Sequence, residues 1–532
     1  MARTINLKNC NVEDNNWWNL EGKKIGNRNL IISIPCLLSA FSVWMFWSII
    51  CVQMLNAGFP FEKSQLFTLM SIAGLSGATL RIPSTFFIRP CGGRNVIFFT
   101  TLLLIIPSLG AGIALQDKET PFWTFQLLAL LSGIGGGNFA SSMSNISSFF
   151  PKKDQGYALG LNAGLGNFGV TTMQLLIPFS MMYGFFCGPS LVLVKPSGSL
   201  LGKIPAGGIT YIQNAGLVWV PFLIILVILA FIFMNNIISE KVTPKEPRTF
   251  PAIFKMSWLL LIGLLTSGTG AYLFIIVHVS KWIVLPLIII STVFAMKYLS
   301  PKELRSSLEK QFKIFSLKHN WIMTIIYTMT FGSFIGFSAA FPLAIEVIFG
   351  FKHVAAAGGG FTHTMVNPNA PSSLSYAWIA PFLGAIIRPI GGKIADKIGG
   401  SIVTLICSIV MIICTLSATF YMLQAYQSET PEIFFIPFFI IFLILFLATG
   451  VGNGSVFRSI AVIFSEEHRG PALGWSSAVA AYGSFFIPMI IGEQIKAATP
   501  EYAMYGFAAF YFVCAILTWW YYLGPKAEFK NP

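Results

Sequence analysis

Apolar stretches of about 20 residues recur along nearly the whole chain, parted by short polar or charged interruptions, and that is the length a helix needs to cross the ~30 Å hydrocarbon core of a bilayer. The pattern predicts about 14 transmembrane helices, over residues 30–56, 65–88, 95–115, 122–149, 157–183, 215–235, 254–278, 282–298, 321–345, 374–392, 401–425, 433–457, 471–491 and 503–523. The interruptions alternate in charge. Those holding Arg89 and Arg94, Lys152 and Lys153, Lys393 and Lys397, and Arg458 and Arg469 alternate with others holding only Lys63, Lys118, Lys352 or Lys496. Basic loops stay in the cytoplasm, so both termini are expected inside a cytoplasmic (cell inner) membrane. The first 29 residues are polar, with no short apolar core and cleavage site, and no cleaved signal peptide is expected.

The chain also repeats itself. QGYALG (155–160) matches RGPALG (469–474), which puts Gly169 and Gly483 at the same offset; GGGNFAS (135–141) corresponds to GVGNGSV (450–456); RPCGGR (89–94) echoes RPIGGK (388–393), each expected to close a helix at a cytoplasmic turn. Three echoes in one order imply two parallel six-helix halves, a repeat that places a substrate site between them near the bilayer midplane. The expected organisation is a tail at 1–29, one half at 30–235, a segment at 236–320, the second half at 321–523 and a tail at 524–532. The middle segment holds an extra pair of spans, 254–278 and 282–298, then a charged amphipathic connector.

Composition agrees with a helical bundle in lipid. Of 532 residues 55% are hydrophobic and 10% charged, against about 25% charged in soluble proteins. The formal charge of +14 sits mostly in loops beside apolar segments, where it sets topology, so nucleic-acid binding is not expected. Eight scattered cysteines without a CxxC pair or neighbouring histidines indicate neither a disulfide framework nor a metal site.

Polar groups are costly in lipid, so the charges inside spans carry most information. Arg81, in GLSGATLRIPSTFF, lies deep in the second span and Arg388, in LGAIIRPIGG, in a related helix of the other half. An arginine at mid-membrane costs at least ~2.5 kcal/mol and normally faces a cavity or ion path; the alternative is snorkelling to the headgroups. Glu62, Asp154, Glu346, Asp396 and Glu467 all fall in loops or at span ends, which leaves both arginines without a carboxylate. Two such guanidiniums make a site for an anion, and their planar forks suit a planar oxyanion. The five histidines lie at span ends or in loops, which disfavours proton coupling through an intramembrane relay. Gly156, Gly160 and Gly164 form a small-residue stripe expected to let helices touch and slide, and Gly137, Gly452 and Ser455 belong to the echoed glycine segments. Asn138 and Asn453, paired by the repeat, read as interhelical hydrogen bonds, whereas Asn167 has no asparagine counterpart and reads as a substrate contact.

GGGNFASSMSNISSFFPKKDQGYALGLNAGLGNFGV (135–170), with GVGNGS in the second half, resembles the signature segments of the nitrate/nitrite porter (NarK-type) family of the major facilitator superfamily. GLSGATLRIP and WIMTIIYTMTFGSFIGFSAAFPL resemble the same family, and GGKIADKIGG resembles the superfamily's cytoplasmic loop motif. The resemblance implies an all-α polytopic membrane protein of the major facilitator fold that exchanges nitrate and nitrite by alternating access. Its substrate arginines match Arg81 and Arg388, its aromatic walls Phe139 and Phe331, and its polar contacts Tyr327 and Asn167. The extra helix pair departs from the family's usual twelve-helix form. No cofactor is implied; the expected partners are nitrate, nitrite and the lipid bilayer, and a monomer is expected. Proton-coupled nitrate import and a nitrate-binding membrane receptor are the alternatives. No nucleophile with a base, metal cluster or phosphate loop on a soluble fold points to an enzyme.

Overall fold

Inside lipid every backbone N–H and C=O must find its partner within the protein, which restricts apolar runs of this length to helices. The computed structural model describes residues 6–8, 12–186, 188–239, 242–356 and 360–532. The side chains of residues 152–157, 199, 307, 466, 467 and 469 lie outside the description, and with them the readings of Lys152, Lys153, Asp154, Gln155, Gly156, Glu467 and Arg469.

The first half comprises α1 (Lys23–Met45, continued by Trp47–Ala57), α2 (Lys63–Ser84), α3 (Gly93–Leu103 and Ile105–Ala114), α4 (Phe122–Ser147), α5 (Lys152–Asn167 and Gly169–Ser180) and α6 (Asn214–Phe233). Two helices follow, α7 (Thr249–Ile275) and α8 (Lys281–Leu299), both packed against α2. A connector helix, Lys302–Gln311, and a 3-10 turn, Phe312–Ser316, bury Leu304, Leu308 and Ile314. The second half comprises α9 (Lys318–Phe349), α10 (Ile379–Ile398), α11 (Gly400–Tyr426), α12 (Phe435–Ile463), α13 (Glu466–Ala481 and Gly483–Lys496) and α14 (Glu501–Thr518).

Among the described residues twelve helices are long and apolar enough to cross a membrane. The two others of the expected set are α4, diluted by the run SGIGGGNFASS, and α5, broken at Phe168. The repeat is visible in the backbone: the break at Phe168 in α5 recurs at Tyr482 in α13, the matching position. α2 packs along α4 as α10 packs along α12. The halves meet chiefly through α2 against α13, with α5 against α10 and α1 against α9. At the first of these contacts a Cβ on Gly74 would collide with the backbone of Ser484, so the helices approach as closely as backbones can.

The echo RPCGGR and RPIGGK does not close both helices. In the first half α2 ends at Ser84, a short turn Ile88–Cys91 follows and α3 starts at Gly93. In the second half α10 runs through Arg388–Lys393 and ends only at Gly399, whose φ of 93° stops the helix. Arg388 therefore sits ten residues from the end of α10, Ile398, or about 15 Å along the axis.

Both described termini lie at one end of the bundle. The strand β1 (Asn6–Lys8) pairs in parallel with β6 (Asn236–Ile238), and the backbone of Pro532 accepts bonds from Gly400 and Ser459. The far end carries hairpins that the hydropathy pattern does not signal: β2 (Leu191–Val192) with β5 (Ile209–Thr210), β3 (Ser197–Ser199) with β4 (Gly202–Ile204), and β7 (Phe351–Ala355) with β8 (Phe361–Val366).

Candidate anion site

Arg81 is held on the last turn of α2 and is fully buried; Arg388, on α10, is 5% exposed. A charge in such a place needs directional partners. Arg81 donates from Nε to the carbonyl of Gly136 on α4 at 3.0 Å and from Nη1 to the carbonyl of Ser477 on α13 at 3.2 Å. The second bond crosses between the halves. Nη2 of Arg81 is buried with no partner. Arg388 donates from Nη2 to the hydroxyl of Tyr327 at 2.7 Å. Neither arginine is in an ion pair among the described residues.

Aromatic faces enclose both guanidiniums. The Arg81 Cζ lies 4.9 Å from the Phe139 ring centroid, 5.3 Å from Phe331 and 5.3 Å from Trp44; the Arg388 Cζ lies 5.7 Å from Phe331 and 4.9 Å from Phe457. Both cations thus address one ring, Phe331, with the cation–π attraction expected at desolvated sites. Phe139 from one half and Phe331 from the other lie nearly parallel, 6.2 Å apart at 22°. Tyr327 stacks on Phe331 at 5.5 Å and 4°. Phe331 sits in a π-helical turn, Thr328–Gly332, the local widening that re-aims side chains at functional sites.

Five of the six residues expected at the substrate are joined by these contacts: Arg81, Arg388, Tyr327, Phe139 and Phe331. Asn167 stands on α5, which packs on α1, α4 and α10; it is 1% exposed and both polar atoms of its amide lack partners. Trp44, Phe457 and the Ser477 carbonyl are additions that the sequence did not single out. For Phe457 a signal existed, since it directly follows the echoed segment GVGNGSV.

The packing residues divide. A Cβ on Gly137 would press on Ser84 Oγ at 2.7 Å, and one on Gly452 on Thr330 Cγ2 at 2.6 Å, so both mark close approaches. Ser455 Oγ contacts Thr404 Oγ1 at 2.7 Å, joining α12 to α11. Gly160 and Gly164 require correction as touching points: a Cβ on either would meet nothing within 4 Å, because the α5 contacts turn to other glycines. The close approach is made at Gly169, where a Cβ would collide with the Leu38 carbonyl of α1. Asn453 also departs from the hydrogen-bond reading: its side-chain oxygen, like that of Asn138, is buried without a partner.

Two halves related by an internal repeat are the architecture of a transporter of the major facilitator class, and residues 32–441 match the Major Facilitator Superfamily. The fold recurs in the xylose transporter XylE of E. coli, partially occluded and inward open, with a TM-score of 0.53 at 12% identity over 95% of this chain and 99% of that one. It recurs in tetrameric PepTSo2 with a TM-score of 0.55 at 12% identity, over 93% and 96%. The nitrate/nitrite transporter NarU of Escherichia coli (strain K12) is 35% identical over 97% of this chain and 96% of its own. The probable nitrate/nitrite antiporter NarK2 of Thermus thermophilus is 33% identical over 96% and 97%. The chain belongs to the nitrate/nitrite porter (NarK-type) family of the major facilitator superfamily.

Proposed function

We propose that this protein exchanges nitrate and nitrite across the cell inner membrane by alternating access, with one anion held between Arg81 and Arg388. The observation that carries the reading is the pair itself: two buried guanidiniums, one from each half, in no ion pair among the described residues and with Arg81 Nη2 unpaired there. A planar anion accepts from that free donor and from Arg388, while Phe139 and Phe331 bound it above and below. Tyr327 holds Arg388 in place through its hydroxyl, and Asn167 supplies amide contacts from α5. The relatives' names, one of them an antiporter, support both substrates and mode.

Empty, the site leaves two cations facing each other in a medium of low dielectric, where repulsion is strong. An anion cancels it and lets the halves, 30–235 and 321–523, rock together; reorientation without cargo is slow, so exchange is favoured over one-way flux. Residues 249–299 then ride on the first half as an addition to a twelve-helix core, and the monomer suffices. The termini end is the cytoplasmic one by its arginine and lysine content.

Arg81→Lys keeps the charge but loses the fork and its three directed donors. The expected outcome is loss of nitrate uptake and of nitrate-dependent thermal stabilisation in correctly inserted protein. Wild-type uptake by Arg81→Lys refutes the two-arginine site.

A further inference from the structure

The second half of α5 carries polar side chains without a hydrogen-bond partner among the described residues. Thr171 and Gln174, three residues apart, share one face of the helix that begins at Gly169, and Asn167 stands just before the break at Phe168. Each is 1% exposed. Leu165, before the break, is 42% exposed, whereas Thr171 and Gln174 are buried inside the protein. Thr171 Oγ1 and both polar atoms of the Gln174 amide have no hydrogen-bond partner. Nearby, on the second part of α1, Gln53 is fully buried; its oxygen accepts from Ser197 Oγ at 2.7 Å and its amide nitrogen is left unpaired. β3 and the second part of α1 each pack on the second half of α5.

The internal repeat supplies a comparison. The positions of α13 that match Asn167, Thr171 and Gln174 are Ala481, Phe485 and Pro488, all buried and all without a polar side chain. The same architectural place is filled in one half by groups that pack and in the other by groups that need a ligand. If packing were the sole requirement on α5, apolar residues would meet it there as they do on α13, and the unpaired amide would be a pure cost.

We propose that Thr171, Gln174 and Gln53 form a second anion position on the far-end side of the arginine pair, where nitrate or nitrite is held by neutral hydroxyl and amide donors. Gln174 lies seven residues beyond Asn167, about 10 Å along the helix, a step that separates two anions or hands one over. Neutral donors bind an anion more weakly than guanidiniums do. Such a position lets an ion enter without trapping it, as a multi-site pathway requires. In this conformation its outward exit is shut: β3 and the turn Ser373–Tyr376 pack on α5, and Lys195 of the first half pairs with Glu346 of the second at 3.5 Å.

The inference rests on the anion-exchange reading above, and its test keeps the two apart. Full-length protein in proteoliposomes is assayed for labelled nitrate counterflow from the far-end face, and in detergent for nitrate-dependent thermal stabilisation, with Thr171→Val, Gln174→Met and Gln174→Glu. The expected result is a five- to tenfold higher half-saturating external nitrate for Thr171→Val and Gln174→Met, about the effect of losing one neutral hydrogen bond, with nitrate-dependent stabilisation unchanged because the arginines are intact. Gln174→Glu keeps shape and polarity and guards against a folding defect in the methionine variant; its carboxylate repels anions and is expected to suppress counterflow while stabilisation by nitrate persists. Wild-type counterflow in Thr171→Val and Gln174→Glu overturns the second position and assigns those polar groups to bound water. Failure of the wild-type protein itself to be stabilised by nitrate would instead sink the arginine site.

Discussion

At the residue scale the site was legible where cost was high and illegible where it was not. Arginine in an apolar span has to be accounted for, so Arg81 and Arg388 stood out from the string alone. A phenylalanine in such a span has no cost, and Phe139 and Phe331 acquired meaning from the family resemblance before the structure set Phe331 against both guanidiniums and Phe139 against that of Arg81. Their spacing has a mechanical consequence. A flat anion between two rings at van der Waals contact needs about 7 Å, against 6.2 Å between these centroids, so the rings must part or slide when it binds. Tyr327 offers a cleaner test of positioning. Its hydroxyl is the single side-chain acceptor for Arg388 among the described hydrogen bonds, and a bond to a charged group contributes about 1.5–3 kcal/mol. Tyr327→Phe is expected to weaken nitrate affinity at least tenfold in a binding titration, with little change in the amount of folded protein; unchanged affinity removes Tyr327 from the site.

At the element scale hydropathy located the helices well, because every window long enough to cross the bilayer had to become one. It could not locate breaks or hairpins. The breaks at Phe168 and Tyr482 each precede a glycine at a close helix approach, Gly169 and Gly483, and the far-end hairpins lie in loops where apolar periodicity is silent. The glycines of α5 were visible, but spacing alone did not say which ones touch. Gly169→Val should drive a side chain into the Leu38 carbonyl of α1 and lower the melting temperature, the overpacking cost being about 1–3 kcal/mol, whereas Gly164→Val should leave it unchanged. Equal thermal shifts for the two variants contradict the packing described.

The β7–β8 hairpin makes a second prediction at this scale. Nδ1 of His353 lies 2.6 Å from Nδ1 of His363, and both rings face Tyr426. Burial is the main cause that holds His353 down to about 4, with the Ile348 carbonyl opposing it and His363 and Lys63 adding to it; burial and Lys63 lower His363 too. A base whose folded pKa lies below its ordinary 6.5 gives stability that is complete above 6.5 and lost as the pH falls toward 4. Protease cleavage within residues 351–366 should therefore rise as the pH drops through that window, and His353→Gln should flatten the rise. A profile independent of pH contradicts the neutral histidine pair.

At the scale of the whole molecule the halves are tied together beside the site. Arg81 reaches the Ser477 carbonyl, and Thr79 Oγ1 meets the Tyr482 hydroxyl at 2.8 Å, both between α2 and α13. In the proposed exchange cycle these ties break and reform as the halves rock, with the anion between the arginines as the condition for doing so. The most direct test is counterflow in proteoliposomes of the purified protein. Labelled nitrate should enter only when nitrite or nitrate is trapped inside, at a rate indifferent to an imposed pH gradient. Uptake into anion-free vesicles driven by that gradient would contradict exchange through the arginine pair.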